Sequence, residues 1–164
     1  MTITKVTAYT ELIGADEKVD QNEWCASANV AITLEKQGIT IHSFLLKQGF
    51  DGAATGVALA PTGTVVFFKG NPSLASGTAI GGLSAAQLAL IVGAHDVVAG
   101  DWNAWMAAAA TTDASLAIFH LTEKIDIPRM ANDGFYVAFL YTGATSFNSA
   151  AGDEETLEIK LVYS

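Results

Sequence analysis

The chain has 164 residues, 51% hydrophobic and only 15% charged, with seventeen carboxylates against eight Lys and Arg for a formal net charge of −9. A chain of this length buries roughly 70% of the surface its unfolded form exposes, so one domain over residues 1–164 needs no covalent staples. The acidic balance argues against nucleic-acid binding, which requires Lys and Arg to replace counterions along the phosphates, and the single cysteine, Cys25, excludes an internal disulfide.

In chain order, Met1 to Tyr9 reads as a polar-interrupted strand and not as a secretory leader, which places synthesis in a reducing cytoplasm. Short strands are expected at Thr2 to Tyr9, Ala28 to Leu34 and Ile39 to Leu46, with an acidic surface loop at Asp16 to Glu23. After the glycine-rich stretch Gln48 to Gly56, strands follow at Val57 to Leu59 and Thr64 to Lys69, joined by the Pro61-Thr62-Gly63 turn. Val65 to Phe68 has the β-branched and aromatic bulk of a strand buried on both faces. Ser84 and Gln87 form a capping-box pattern that predicts a helix over Ala85 to Val92, and Val92 to Val98 fits either strand or loop. Asp101 predicts the start of a second helix, with Trp102, Trp105, Met106 and Ala109 on one stripe.

Strand signals return at Leu116 to Leu121, Lys124 to Ile127, Phe135 to Tyr141 and Thr156 to Tyr163. In the last of these Leu157, Ile159, Leu161 and Tyr163 face one way while Glu158 and Lys160 face the other, the pattern of a half-buried antiparallel strand. Phe135 to Tyr141 is apolar on both faces. About eight strands, with one or two short helical insertions and no helix-strand alternation, predict an all-β, single-domain antiparallel β-sandwich. Leu83 to Val98 is apolar but shorter than the ~20 residues of a membrane span and is broken by Gly93, His95 and Asp96, so a buried segment is expected.

No residue pattern points to catalysis. His42, His95 and His120 stand alone, without the tight spacing of zinc ligands, and His95-Asp96 are strand neighbours expected on opposite faces at a solvent-exposed strand end. Cys25 follows an acidic segment that raises a thiol pKa, so it is expected as a small buried hydrophobe. The carboxylate groups Asp16/Glu17/Asp20 and Asp153/Glu154/Glu155 lack the spacing of a calcium loop and read as solvated charge. The Trp102, Trp105, Met106 stripe fits core first and a subunit contact second, and these three residues are the candidates for a partner interface. No cofactor, metal site or enzymatic activity is expected.

Several features occur in a telling order: a buried strand Val65 to Lys69 followed by Asn71-Pro72-Ser73, the Asp101-Trp102 element, then Phe135 to Tyr141, Gly143-Ala144 and a last strand Glu155 to Leu161. Over Val57 to Ser164 this order resembles the jelly-roll-like head decoration or cement proteins, and head-fibre bases, of tailed bacteriophages. The alanine-rich stretch Trp105 to Thr112 departs from it. The resemblance implies a non-enzymatic protein on the outer capsid surface of the virion, commonly a homotrimer, whose partner is the major capsid protein. The alternative reading is a receptor- or glycan-binding sandwich of a fibre or tail, with Trp102, Trp105 or Tyr141 stacking on sugar rings. Low charge content fits a surface partly covered by other subunits.

Overall fold

The computed structural model describes residues 4–14, 17–30, 32, 38–50, 60–104, 114–127, 134–144, 146–148 and 155–164. Two antiparallel sheets pack face to face, so the chain is an all-β sandwich. Twelve strands are present among the described residues, more than the eight expected, because several are only two to four residues long.

The first sheet has the order β1 (Lys5–Val6), β12 (Glu155–Tyr163), β5 (Ile39–Phe50), β10 (Ala114–Ile127) and β9 (Asn103–Ala104), with β2 (Thr10–Ile13) also pairing β12. The second has the order β7 (Thr78–Ala79), β3 (Glu23–Trp24), β11 (Phe135–Tyr141), β6 (Gly63–Phe68) and β8 (Ile91–Val97), with β4 (Ala28–Val30) also pairing β11.

The alternation expected in β12 is the one observed: Leu157, Ile159, Leu161 and Tyr163 are buried, and Glu158 and Lys160 lie on the other face. In β6, Val65, Val66, Phe67 and Phe68 are all buried, as their unbroken apolar run predicts. The connection from β6 to β8 buries Leu74 and packs the partly buried Leu83 and Leu90 against the core, which gives the second sheet apolar cover. Leu83 to Val98, expected as a buried segment, is buried only at Val97.

Between the sheets lies an aromatic cluster. Phe44 of β5 stacks on Phe119 of β10 at 4.6 Å and meets Phe67 of β6 edge-on at 5.7 Å, and Phe67 stacks on Phe135 of β11 at 6.1 Å. Such pairs add about 0.5–1.5 kcal/mol each beyond their area burial. Two glycines permit close approach. A Cβ on Gly63 would collide with the Leu140 carbonyl, and one on Gly93 would stand 2.6 Å from Cδ1 of Ile125, where β8 meets β10 and the sandwich closes along one side.

Several expected elements differ from those formed. The helix expected over Ala85 to Val92 is four residues, α1 (Ala85–Leu88), although its capping box forms as predicted: Gln87 N donates to Ser84 Oγ at 3.3 Å and Ser84 N to Gln87 Oε1 at 2.8 Å. A helix this short is weak alone, and the residues beyond it pair with β6 as β8, from Ile91 opposite Phe68 to Val97 opposite Gly63. The helix expected from Asp101 is a single 3-10 turn, Ala99–Asp101. Asp101 accepts from the amide of Val98 behind it at 2.8 Å instead of capping amides ahead, and the chain leaves extended into β9.

Leu116 to Leu121 and Lys124 to Ile127 are one strand, β10, whose register with β5 jumps from His120 opposite Ser43 to Ile125 opposite Ile41, so that residues 121–124 bulge out of the ladder. Of the strand expected over Thr2 to Tyr9, the described residues form β1, and β2 follows it. The strand expected over Ile39 to Leu46 runs on to Phe50 as β5, into the glycine-rich stretch. Val57 to Leu59 lies outside the described residues.

The acidic bend of residues 17–23 is fastened and not a free loop. Val19 is fully buried and forms a two-way main-chain bridge with Phe147. Beside it, the buried Asn148 acts as a clasp: its Nδ2 donates to the carbonyls of Gly14, Glu17 and Glu155 at 3.0–3.1 Å and its Oδ1 accepts from Glu155 N at 2.9 Å. One amide side chain thereby joins the end of β2, the acidic bend and the start of β12.

Candidate interaction face

Trp102 is half-buried against the core, and its indole N–H donates to the Pro61 carbonyl at 2.9 Å, which ties the 3-10 turn to the loop before β6. Its polar edge is therefore spent within the fold. Trp105 and Met106 lie outside the described residues. Tyr141 is 3% exposed and meets Phe147 edge-on at 6.0 Å, and burial, followed by the nearby Glu155 charge, pushes its phenol pKa up. Tyr141, at 3% exposure, presents no free ring face of the kind sugar stacking requires.

The structure separates the three histidines. His42 Nε2 lies 2.7 Å from Ser164 Oγ, and His120 is exposed opposite Ser43. His95 is not at a solvated strand end as expected: its ring is edge-on to Phe44 at 5.4 Å and Phe119 at 5.1 Å. Asp96 points the other way, as neighbours in a strand must, and accepts from Thr64 Oγ1 at 2.7 Å. Among the described residues no histidine hydrogen-bonds a carboxylate, and no three His, Cys, Asp or Glu side chains gather where they would hold a metal ion.

Cys25 is fully buried, its Sγ accepting the amide of Phe139 at 3.0 Å, and desolvation pushes its thiol pKa to about 12. A thiol held protonated at neutral pH is a poor nucleophile.

On the acidic bend the described carboxylates cap local turns, whereas Glu155, expected as solvated charge, is buried at the start of β12. Glu17 accepts from Gly14 N at 3.1 Å and Glu23 from Asp20 N at 3.0 Å. Asp20 accepts from Ser146 Oγ and from Lys18 Nζ, bonds that hold its carboxyl below the ordinary value. Asp16, Asp153 and Glu154 lie outside the described residues.

What the sequence reading passed over is the outer face of the first sheet. One row across it runs Val6, Val162, Ser43, His120, and the next runs Lys160, Leu45, Ile118, as the strand registers place them side by side. Ile118 is 54% exposed, Val6 53% and Tyr9 38%, with Leu45 and Val162 half-buried between them.

Charge on this face is sparse and specific. Lys47 pairs with Glu158 at 2.7 Å, and the ammonium groups of Lys47 and Lys160 stand 5.4 and 5.2 Å from the centre of the Tyr9 ring. Among the described residues Lys160 forms no salt bridge. The signal was present in the run Phe44-Leu45-Leu46, where strict alternation would put a polar residue at Leu45.

No protein-family model matches this chain, and no curated protein matches it in sequence. Among the described residues no helix is long and apolar enough to cross a membrane.

Proposed function

We propose that this chain is a non-enzymatic virion structural protein, a decoration or cement protein that docks on the outer capsid surface through the outer face of its first sheet and bridges neighbouring major capsid subunits. The single observation that carries the proposal is the set of apolar residues Val6, Val162, Leu45 and Ile118 on the outer face of four strands, in two adjacent rows that also hold Ser43, His120 and Lys160, in a chain whose net charge is −9. Contiguous apolar surface of this kind marks a contact site when nothing in the fold covers it. The resemblance of the order of sequence features to that of phage decoration proteins supplies the proposed partner, and the trimer common among those proteins supplies the proposed assembly.

In this reading the apolar strip is buried against the capsid protein, and Lys160, held against Tyr9 and free of any carboxylate among the described residues, meets an acidic group on it. Interfaces of standard size bury ~1,200–2,000 Å², and only the surplus over association costs appears as affinity. A subunit that spans a junction must be released before the junction opens, so many modest sites raise the force that ruptures a shell. Purified protein added to undecorated heads is expected to remain bound through sedimentation and to raise the temperature at which the heads rupture. Recovery of the protein in the supernatant with an unchanged rupture temperature contradicts the proposal.

A further inference from the structure

A second feature lies at the end of the first sheet, where the β10 bulge, the start of β5 and the chain end converge. Thr4, Thr40, His42, Lys124, Asp126 and Ser164 line an open cleft of about 470 Å³, within the size range of small-molecule sites. Its floor is fixed. Thr40 and Ser164 exchange two main-chain hydrogen bonds at 2.9 and 3.0 Å, Thr40 Oγ1 donates to Asp126 Oδ1 at 2.7 Å, and His42 Nε2 sits 2.7 Å from Ser164 Oγ. These bonds hold four of the six lining side chains before any ligand arrives, which lowers the ordering cost of binding.

The groups left over define the chemistry. Asp126 Oδ2, His42 Nδ1, the Thr4 hydroxyl and the Lys124 ammonium have no hydrogen-bond or ion-pair partner among the described residues. An anion entering the cleft meets Asp126 as well as Lys124, a cation meets Lys124 as well as Asp126, and among the described residues none of the six that line it is apolar. A neutral polyhydroxylated ligand suits all of them, because each of its hydroxyls both donates and accepts: one to the free oxygen of Asp126, a neighbour from Lys124, and others to the imidazole and the threonine.

We infer that this cleft is a binding site for a neutral saccharide, recognised through adjacent ring hydroxyls by Asp126 and Lys124 and seated against His42, Thr40 and Ser164. The site uses none of the residues of the apolar strip and neither the Trp102 nor the Tyr141 ring, although Thr4 and Ser164 lie two residues along the chain from Val6 and Val162.

The test is an NMR titration of the full chain with the methyl glycosides of glucose, galactose, mannose and N-acetylglucosamine at millimolar concentration, with inorganic phosphate and glycine as anionic and zwitterionic probes. Saturable shifts of the Thr40, His42, Asp126 and Ser164 amides are expected with at least one glycoside and with neither phosphate nor glycine. Asp126→Asn, an exposed and nearly isosteric change, is expected to weaken that binding about tenfold, while Ile118→Glu on the apolar strip leaves it unchanged. The inference is overturned if no glycoside moves these resonances, if phosphate or glycine moves them as strongly, or if Asp126→Asn and His42→Ala both bind as the wild type does. Loss of capsid docking in Ile118→Glu with saccharide binding intact separates the two readings.

Discussion

The two sheets treat their outward sides differently. At β6 the second sheet buries Val66 and Phe68 as well as the inward Val65 and Phe67, and the segment between β6 and β8 brings Leu74, Leu83 and Leu90 to the core. Among the described residues the first sheet has no such cover over Ile118, Val6 and Tyr9, which are exposed on its outer face. An apolar residue on a strand therefore carries two meanings. In β6 it is core on both sides, whereas Leu45 of β5 and Ile118 of β10 are left over on the outer face while their apolar neighbours Phe44, Leu46, Ala117 and Phe119 fill the core, and that surplus is what points to a partner.

The comparison breaks or sharpens by mutation. The largest effect is expected at the covered sheet: Phe67→Ala opens a hole beside Phe44 and Phe135 and should cost about 3–5 kcal/mol in denaturant unfolding. Next is Asn148→Ala, which strands the buried groups of the clasp between β2, the acidic bend and β12. With an unsatisfied buried group costing about 1–3 kcal/mol, a loss of about 3 kcal/mol is expected, measured the same way.

Ile118→Ser, on the open sheet, should change stability by no more than about 0.5 kcal/mol. A loss as large as that of Phe67→Ala would mean the face is core after all and would abolish the contrast.

The smallest effect is a pH dependence at Asp20, whose carboxyl is held below its ordinary value of 3.8 first by the Ser146 hydroxyl and then by Lys18. A depressed carboxylate adds stability that is complete above the unfolded pKa and is lost as pH falls through the folded one. The melting temperature of Ser146→Ala should therefore lie slightly below that of the wild type above pH 3.8, with the gap closing in stronger acid. Because Asp20 is exposed, added salt should shrink the gap.

Strands whose side chains meet one environment throughout were legible. β12 alternates because one face is core and the other is not, and β11 and β6 read as continuous apolar runs because both of their faces are covered. Elements decided by pairing were not legible. Ile91 to Val97 carries Gly93, Ala94 and His95, which left strand and loop both open over Val92 to Val98, and pairing with β6 makes it β8 and ends the helix after Leu88.

The clasp escaped for a related reason. Asn148 has three carbonyl acceptors, at Gly14, Glu17 and Glu155, and nothing at position 148 signals that the chain returns there. The apolar strip was half visible. Leu45 breaks its strand's alternation, but Val6, Val162 and Ile118 become its neighbours only through the register of β1, β12, β5 and β10. The cleft at Thr40, His42 and Asp126 depends on the β10 bulge, which the sequence reading had taken as the gap between two strands.

Hydroxyl-radical footprinting of the free protein and of the protein mixed with undecorated capsids tests the central claim most directly. Docking through the first sheet predicts that oxidation of Tyr9, Ile118 and Val6 falls on mixing, while that of Ile80 and Leu88, exposed on and beside β7 and α1, stays as it was. Unchanged oxidation of Tyr9, Ile118 and Val6 in capsid-bound protein would contradict it.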